Sequence, residues 1–264
     1  MFKERPSEIS VSSLTGESDM TKVDARALSH RELNARLREL VSSGVQRIEL
    51  HNVYGQRYIG TDLDKPVKID IFGTPGNDLG AFMDGPGITV HGNAQDGCGN
   101  TMDNGEIVIH GHAGDILGLS ARGGKIFVKE DVGYRAGIHM KEYQDKKPTV
   151  IIGGTAQDFF GEYMAGGILV LLGLNLKEGE GHTANFIGTG MHGGVIYMRG
   201  EVQEFQLGKE VGVAELNEND YLTLEKLIGE FTCHFDCAAQ EILKCRFTKL
   251  FPLHLRPYGR LYAY

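Results

Sequence analysis

The stretch His91–Gly105, HGNAQDGCGNTMDNG, is followed nineteen positions later by the similar stretch His110–Gly124, HGHAGDILGLSARGG. Both stretches open on a His-Gly pair and carry another glycine seven positions after the first. The preceding stretch Phe72–Gly85, FGTPGNDLGAFMDG, keeps the same arrangement at the same distance before them. A self-similar segment at a fixed period indicates a repeat architecture.

Glycines continue the period along the chain. The numbers of successive opening positions differ by 19, or by 19 plus an insertion of five or eight. The first insertion, of five residues, lies within MKEYQDKKPTV, and the second, of eight residues, lies within LNLKEGEGHTANF. The opening column consists of Gly73, Gly92, Gly111, Glu130, Gly154, Gly173 and Gly200. The second column consists of Gly80, Gly99, Gly118, Gly137, Gly161 and Gly188. A turn-type column at Asn77, Asp96, Asp115, Tyr134, Asp158 and Asn185 and a column at Met83, Met102, Ala121, Met140, Met164 and Met191 keep the same register.

Aliphatic residues precede each opening glycine in two further columns. One column is Ile69, Ile88, Ile107, Ile126, Val150, Leu169 and Ile196, and the other is Ile71, Val90, Ile109, Val128, Ile152, Leu171 and Met198. A separation of two places both columns on one face of a strand. The residues between them are mostly polar, although Val108 and Phe127 are not. Ile109 and Val128 are expected to point inward, with Gly111 and Gly118 at corners.

A short strand, a glycine corner and a second short segment form one coil of a parallel β-helix. The sequence therefore predicts a mainly β protein, a right-handed parallel β-helix with coils of about 19 residues and six to seven turns. The right hand follows from the crossover rule for parallel strands. Helical N- and C-terminal extensions complete the predicted fold.

The two ends of the chain lack the glycine register. Ser29 and Glu32 form an S-x-x-E capping box that opens a predicted helix reaching Val41. A strand from Gln46 follows and, with the helix, would cap the open end of the β-helix. Residues 219–245 are expected to be helical. The predicted domains are an N-terminal extension with helix and capping strand (1–60), the β-helix (61–205) and a helical C-terminal extension (206–264).

Composition limits the classes of function. Glycine accounts for 37 of 264 residues, about twice its usual share, which agrees with many corners in the backbone. The net charge of −8 argues against nucleic acid and anionic membrane surfaces as partners. No apolar run approaches a membrane span, and the first residues, MFKERPSEIS, lack the apolar stretch of a signal peptide, so a cytoplasmic location is expected.

Gly188, Gly190 and Gly193 spell G-x-G-x-x-G, the spacing that opens many dinucleotide-binding folds. That fingerprint requires a following helix, whereas a strand-like run, VIYMRG, follows here. Gly188 also belongs to the second glycine column. We therefore predict a β-helix corner and assign no cofactor-binding residue to this chain.

Three sets of side chains are candidates for chemistry. Cys233, Cys237 and Cys245 form C-x3-C-x7-C, with Cys233 and Cys237 on one helical face, and could bind zinc or an iron–sulfur cluster. Because a fourth ligand at a motif-like spacing is lacking, buried cysteines without a metal are the favoured interpretation. His91 and His110 should stack in neighbouring coils, and with His112 they could ligate a metal, although a solvated ladder is favoured.

The third set is the aspartates Asp96, Asp115 and Asp158, which could suggest acid–base catalysis. They share a register with Asn77 and Asn185, and Asp and Asn both suit turns and bond their own backbone. A structural role is therefore expected, and no catalytic and no metal-binding residue is assigned.

The coils with GTPGNDLGAFMDG, GHAGDILGLSARGGKIFV, VIIGGTAQDFFGEYMAGGILVLLG and FIGTGMHGG resemble the GXGXG domain found at the C-terminal end of the glutamate synthase large subunit. The chain is similar, more loosely, to the C subunit of formylmethanofuran dehydrogenase. The resemblance covers roughly residues 60–205, with GEYMAGGILVLLG as its most specific part. It implies a right-handed parallel β-helix without catalytic residues.

The resemblance implies a non-catalytic structural subunit of a glutamate synthase-type complex. Its partners would be a glutaminase and a synthase subunit that carries FMN and an iron–sulfur cluster, and this chain itself would hold no cofactor. The alternative is a scaffold of another redox complex such as formylmethanofuran dehydrogenase. A third hypothesis is an independent enzyme working in a cleft between the β-helix and the terminal helices. A homo-oligomer is a further alternative.

Two segments are expected to contact partners. The second insertion, within LNLKEGEGHTANF, is acidic and glycine-rich, with Glu178, Glu180 and His182, and either lies at an interface or forms a mobile loop. The aromatic and basic C-terminal tail, FTKLFPLHLRPYGRLYAY, could pack against the coils or dock on another chain.

Overall fold

The computed structural model describes residues 20–254. No helix in this part of the chain combines the length and apolar character needed to cross a membrane. The first half contains β1 (Met20–Asp24), α1 (His30–Ser42), β2 (Arg47–Tyr54), β3 (Lys68–Thr74), β4 (Asp84–Val90) and β5 (Asn104–Ile109). The second half contains β6 (Lys125–Val128), β7 (Thr149–Ile152), β8 (Ala165–Leu171), β9 (Gly193–Arg199), a 3-10 turn (Glu204–Gln206), β10 (Val211–Ala214), α2 (Glu218–Phe235), α3 (Ala239–Leu243) and β11 (Phe247–Pro252).

Strands β1 to β9 pair in chain order as one parallel ladder, which confirms the parallel β-helix at about six turns. The register follows the period read from the sequence, because Ile69 pairs with Ile88, Ile88 with Ile107, and Ile107 with Ile126. Ile109 and Val128 point inward as predicted, and both are fully buried. The aliphatic and methionine columns form one continuous core inside the coils.

Each coil turns through an arc in which every second residue has a positive φ. In one coil these residues are Arg135, Gly137 and His139, with φ of 58°, 77° and 56°. All six glycines of the predicted second column have φ between 66° and 77°. An earlier arc, centred on Gly60, has the same pattern, and the sequence pattern did not reveal it. The reason is that Gly60 and Gly80 are separated by one position more than the usual period, so this coil falls out of the column.

The N-terminal segment forms the predicted helix and contributes to the sheet. Ser29 caps α1, and both bonds of the capping box with Glu32 are present. The helix buries Leu33 and Leu37 against the end of the core. Strands β1 and β2 are rungs of the parallel ladder. The domain boundaries remain a prediction, but the ladder extends to the N-terminal side of residue 61.

The C-terminal segment differs from the predicted helical extension in containing two strands. Strand β11 pairs antiparallel with β9 and with β10, and so ends the parallel ladder. Helix α2 is closed by Asp236, whose φ of 49° is left-handed, and α3 follows as a separate short helix. The sequence pattern did not predict β10 and β11 because both depend on pairing between segments that are distant along the chain.

The expectation that the outward positions of the strands are mostly polar is wrong for the second half of the β-helix. From β5 onward these positions are apolar and buried: Val108, Phe127, Ile151, Val170 and Tyr197. The apolar face of α2 covers them with Leu224, Leu227, Ile228, Phe231 and Phe235. Polar residues such as Asp70 and Thr89 occupy this outward column only on the earlier strands, which include β3 and β4. A second core therefore lies outside the coils, between the sheet and α2.

Candidate functional site

A cleft of about 380 Å³ opens where the C-terminal end of α2 meets the coil surface. We call it the helix cleft. Aromatic rings of Phe231 and Phe235 form one wall, and the backbone of Gly153 and Gly154 forms the other. A Cβ on Gly153 would collide first with the carbonyl oxygen of Lys129 and would also lie 2.8 Å from the ring of Phe231, so the site has no room for a larger residue. The remaining lining residues are His112, Lys129, Glu130, Asp131, Leu174, Asn175 and Cys237.

Three polar side chains of the helix cleft, those of His112, Glu130 and Asp131, are bonded to one another or to neighbouring residues. His112 Nε2 lies 2.8 Å from Glu130 Oε2, and His112 Nδ1 accepts from the amide of Asp131 at 3.3 Å. The imidazole proton therefore resides on Nε2 and points to Glu130. Asp131 Oδ1 accepts from the amide and hydroxyl of Thr155 and from Asn175. Burial opposes ionisation of Asp131, but these hydrogen bonds outweigh it and hold its pKa below the usual range.

The candidate cysteine cluster is not assembled. Asp236 closes α2 before Cys237, so Cys233 and Cys237 do not share a helical face. The expectation of buried cysteines is wrong for Cys233 and Cys245, which are exposed, whereas Cys237 is half-buried. Burial, followed by the nearby Asp236, raises the pKa of Cys237, so its thiol is protonated at neutral pH and is a weak nucleophile. Among residues 20–254 no group of three His, Cys, Asp or Glu is placed to hold a metal.

The predicted stack of His91 on His110 is present, with ring centroids 5.5 Å apart. The sequence did not reveal that the ladder continues through Phe72 to His51, at centroid distances of 4.5 and 4.7 Å. Phe235 of α2 closes the other end against His110 at 5.2 Å. Burial first, and then the neighbouring His91, lowers the pKa of His110. The ladder is therefore a partly solvated stack of rings.

The aspartate column has a structural role that differs in detail from the prediction. Asp96 accepts from the amide of Asp115 at 2.9 Å, and Asp115 accepts from the amide of Tyr134 at 2.8 Å. Asp158 accepts from the amide of Asn185 at 2.8 Å. These carboxylates bond the backbone of the next coil and not their own, because stacking brings the next coil within about 4.8 Å.

The G-x-G-x-x-G segment forms a corner and leads into strand β9, as expected. Gly188 and Gly190 belong to an arc, with φ of 66° and 71°, and Gly193 is the first residue of the strand. Tyr163 of the preceding coil lies over Gly190, where a Cβ would be 2.5 Å from its ring. The segment therefore leads into a strand, whereas a dinucleotide site would place a helix N-terminus there to receive a phosphate.

The arcs carry exposed aromatic side chains on the C-terminal coils. Phe159 and Phe186 stack at 4.9 Å, and the guanidinium of Arg135 lies 4.8 Å from the centroid of Phe159. His139 stacks on Tyr163 at 5.3 Å. These five residues form a surface that we call the arc patch. Tyr163 and Phe186 are 46% and 52% exposed, so the patch presents aromatic surface to solvent.

The second insertion is only partly an exposed loop. Lys177–Gly181 is exposed, and Glu180 accepts from the amide of Lys177 at 3.0 Å. The candidate interface residue His182 is instead 6% exposed and packs over Gly173. Its Nε2 donates to the carbonyl of Arg199 at 3.1 Å. Burial lowers the pKa of His182, so the ring is neutral and serves packing.

The coils, the aromatic ladders and the covering helix define this chain as a parallel β-helix protein with a helical cover. Its sequence matches the GXGXG motif family over residues 47–253. The chain belongs to that family.

A relative and a solved structure are also similar. An uncharacterised protein of Methanocaldococcus jannaschii is 48% identical over 249 residues, covering 91% of this chain and 95% of the relative. A chain of the formyltransferase/hydrolase complex of Methylorubrum extorquens, solved with methylofuran, superposes with a TM-score of 0.53. The two chains are 17% identical, and the match covers 84% of this chain and 87% of that chain. At this identity the likeness shows the fold.

Proposed function

We propose that this chain is a non-catalytic structural subunit of a multi-subunit enzyme complex. The observation that carries the proposal is the arc patch, which consists of two stacked ring pairs, Phe159 with Phe186 and His139 with Tyr163. Tyr163 and Phe186 are the exposed members of these pairs. Exposed aromatic clusters mark interaction sites, and aromatic side chains supply much of the binding energy in protein interfaces. The structurally similar chain is part of a formyltransferase/hydrolase complex, which adds support at the level of the fold.

The helix cleft supports binding better than catalysis. His112 is engaged with Glu130, Asp131 with Thr155 and Asn175, and the thiol of Cys237 is protonated at neutral pH. An independent enzyme would need an acid, a base or a nucleophile free to reach a substrate. We therefore propose that catalysis belongs to partner subunits.

Two kinds of complex are candidates. A formylmethanofuran dehydrogenase-type complex is supported by the fold comparison, since the similar solved chain comes from a formyltransferase/hydrolase complex. A glutamate synthase-type complex is supported by the run GEYMAGGILVLLG, which resembles the corresponding domain of that enzyme. The partners would then be a glutaminase and a subunit with FMN and iron–sulfur. The fold comparison favours the first candidate.

Purification of the tagged full chain from its native host, with partners identified by mass spectrometry, tests the proposal. A molybdopterin or tungsten enzyme among the partners would support the first complex. A glutaminase together with a flavoprotein would support the second. A chain that elutes alone as an active enzyme would overturn the structural role.

The interface is tested by the double variant Tyr163→Ser and Phe186→Ser. Both side chains are exposed, so the melting temperature should change little while partner proteins are lost from the purified complex. Tyr54→Ser is the matched control, because Tyr54 is 93% exposed and lies on β2, far along the ladder. If the patch variant and the control recover equal amounts of the partner proteins, the arc patch is not part of the interface.

A further inference from the structure

Strand β10 lies at one edge of the sheet. The strand order ends with β9, β11 and β10, so among the described residues β10 pairs only with β11. Its residues Val211–Ala214 read VGVA and include neither a charged side chain nor a proline, two of the features that protect edge strands from pairing with another chain. At the other edge of the described sheet, β1 carries Lys22 and Asp24. The edge at β10 is therefore the less protected of the two.

The hydrogen bonds between β10 and β11 show which backbone groups point to the free edge. The amide of Leu253, directly after β11, donates to Glu210 O at 2.8 Å, in the same register as the ladder of the two strands. Bonded pairs alternate along an antiparallel ladder, so Gly212 also bonds β11. The backbone groups of Val211 and Val213 therefore point away from β11.

These edge groups include both a donor and acceptors. The amide of Val211 is already used, because it donates to Gly208 O at 3.1 Å. The carbonyl of Val211 and both the amide and the carbonyl of Val213 are left without a partner by this geometry among the described residues. Glu215 is the next residue with the same orientation. One strand thus presents the donors and acceptors that an identical strand requires.

The side chains at this edge are apolar and accessible. Val211 and Val213 lie on one face of β10, since alternate residues of a strand share a face. Val211 is 8% exposed and belongs to the core inside the coils, whereas Val213 is 57% exposed. On the other face Leu253 is 51% exposed, and a Cβ on Gly212 would lie 2.8 Å from its Cδ2. Pairing at the edge would remove part of this apolar surface from water.

Oppositely charged side chains flank β10. Lys209 precedes the strand, is exposed and forms no ion pair within residues 20–254. Its neighbour Glu210 is engaged, because it accepts from the amide of Gly190 at 3.0 Å. Glu215 follows the strand, and its side chain is 85% exposed, with a contact of 3.3 Å to the exposed Arg246. Antiparallel pairing of two identical strands places the lysine end of each beside the glutamate end of the other, whereas parallel pairing would place like charges together.

We propose that the free edge of β10 pairs antiparallel with β10 of a second copy of this chain, with the two Val213 residues opposite each other on a two-fold axis. Each Val213 amide then donates to the Val213 carbonyl of the other copy. Each Glu215 amide faces the Val211 carbonyl of the other copy, so the amide of Val211 keeps its bond to Gly208. The sheets of the two copies become continuous. This dimer goes beyond the proposed structural role, which requires no second copy.

Sedimentation of the full chain over a concentration series measures the association. A reversible dimer with a dissociation constant of about 1–100 µM is expected, because strand pairing of this length forms a small interface. Val213→Lys should weaken the dimer by about tenfold or more, since it places two ammonium groups beside each other at the axis. The matched control Val213→Thr keeps a β-branched side chain and should leave the dissociation constant nearly unchanged.

A charge exchange tests the antiparallel orientation. Lys209→Glu and Glu215→Lys should each weaken the dimer severalfold, and the variant with both changes should restore it, because opposite charges then meet again across the interface. Melting temperatures of all variants should stay close to that of the wild-type protein, since the three positions are exposed. If the combined variant does not restore the dimer, the antiparallel pairing is wrong.

A chain that stays monomeric up to about 500 µM would overturn the proposal, as would equal association of the lysine and threonine variants of Val213. Two further results would assign the edge to another occupant and also overturn it. In the first, the wild-type chain is monomeric and Val213→Lys loses other proteins from the complex purified from the native host. In the second, a chain that lacks residues 255–264 dimerises while the full chain does not.

Discussion

Gly161 illustrates why this sequence is rich in glycine. Its φ of 72° is in the left-handed region, and an added Cβ would lie 2.6 Å from Ile196 Cδ1. A left-handed backbone costs an L-residue about 1–2 kcal/mol, and the inward-facing Ile196 has little room to move. The glycine is therefore required by the arc and not by a ligand.

Gly161→Ala is expected to lower the free energy of unfolding by about 2 kcal/mol or more. The control is Gly229→Ala in α2, where nothing lies within 4 Å of the added methyl and φ is not positive. That change should raise stability by up to about 1 kcal/mol, because alanine is the better helix former. Denaturant unfolding measures both, and a neutral Gly161→Ala would contradict the arc geometry.

Asp220 fixes α2 to the end of the β-helix. Its carboxylate lies 2.8 Å from Lys249 Nζ on β11 and accepts from the hydroxyl of Tyr197 at 2.6 Å. Burial disfavours the charged form, but the bonds to Lys249, Tyr197 and the Asn217 amide outweigh it and lower the pKa of Asp220. Burial, and then Asp220 itself, raises the pKa of Tyr197.

Since the folded pKa of Asp220 is below its ordinary value of 3.8, its stabilising effect is complete above that pH and is lost as the pH falls through the folded pKa. Asp220→Asn should reduce stability at pH 7 by about 3 kcal/mol, because Lys249 is left without its partner. Below about pH 4 the free energy of unfolding of the variant should fall less steeply than that of the wild-type protein, because asparagine at this position takes up no proton. Melting curves from neutral to strongly acidic pH test this, with exposed Asp145→Asn as control. An unchanged pH profile would contradict the role of Asp220.

Helix α2 forms a second core on the outer face of strands β5 to β9. Phe231 is 1% exposed and packs with the outward column that includes Phe127 and Ile151. Lys125 on β6 and Glu230 on α2 form an ion pair at 2.6 Å on the edge of this contact. The helix is therefore an integral part of the fold and also one wall of the helix cleft.

Phe231→Ala is expected to cost about 3–5 kcal/mol, the usual range for a buried phenylalanine. Leu222→Ala on the same helix should be close to neutral, because Leu222 is 59% exposed. Chemical denaturation gives both values. A small effect of Phe231→Ala would mean that α2 contributes little to the stability of the coils.

The second insertion is an element with two parts. Deleting Lys177–Gly181 should leave the melting temperature nearly unchanged, since this part is exposed and loop length affects stability weakly. His182→Ala should be destabilising, because His182 fills space over Gly173 and bonds Arg199. If the deletion leaves complex assembly intact in a pull-down with partner subunits, the exposed part is not an interface.

Among the described residues, the arc patch lies on the arcs, whereas α2 covers the outward side of strands β5 to β9. The arc side of the coils is therefore not covered by α2. Solenoid proteins often bind other molecules through such repetitive faces. The aromatic tail of the sequence divides into two parts. Its first residues form β11 against the coils, and residues 255–264 lie outside the described part of the chain.

The purified chain is expected to be colourless, without flavin or iron, and inactive toward glutamine and 2-oxoglutarate. The reason is that its core is filled by side chains and that Cys233, Cys237 and Cys245 are not gathered into a ligand set within residues 20–254. Absorption spectroscopy and metal analysis of the full chain test this. A stoichiometric flavin or iron–sulfur band would show that the chain carries a cofactor.

The β-helix could be predicted from the order of the amino acids alone. The period of the glycine columns and the inward pairs such as Ile107 and Ile109 are local patterns, and each coil repeats the contacts of the last. The stacking of His91 on His110 followed from the same register. The capping of α1 by Ser29 could also be predicted, because a capping box involves residues only three positions apart.

The arrangement outside the coils became known only from the folded chain. The cover of the outward column by α2, the antiparallel pairing of β11 and the separation of Cys233 from Cys237 were not predicted. Lys125 and Glu230 are 105 positions apart, and such contacts leave no period in the sequence. The arc patch depends on which side chains of the arcs become neighbours in stacked coils. The physical reason is that inward packing repeats in every coil, whereas each outward contact is made once.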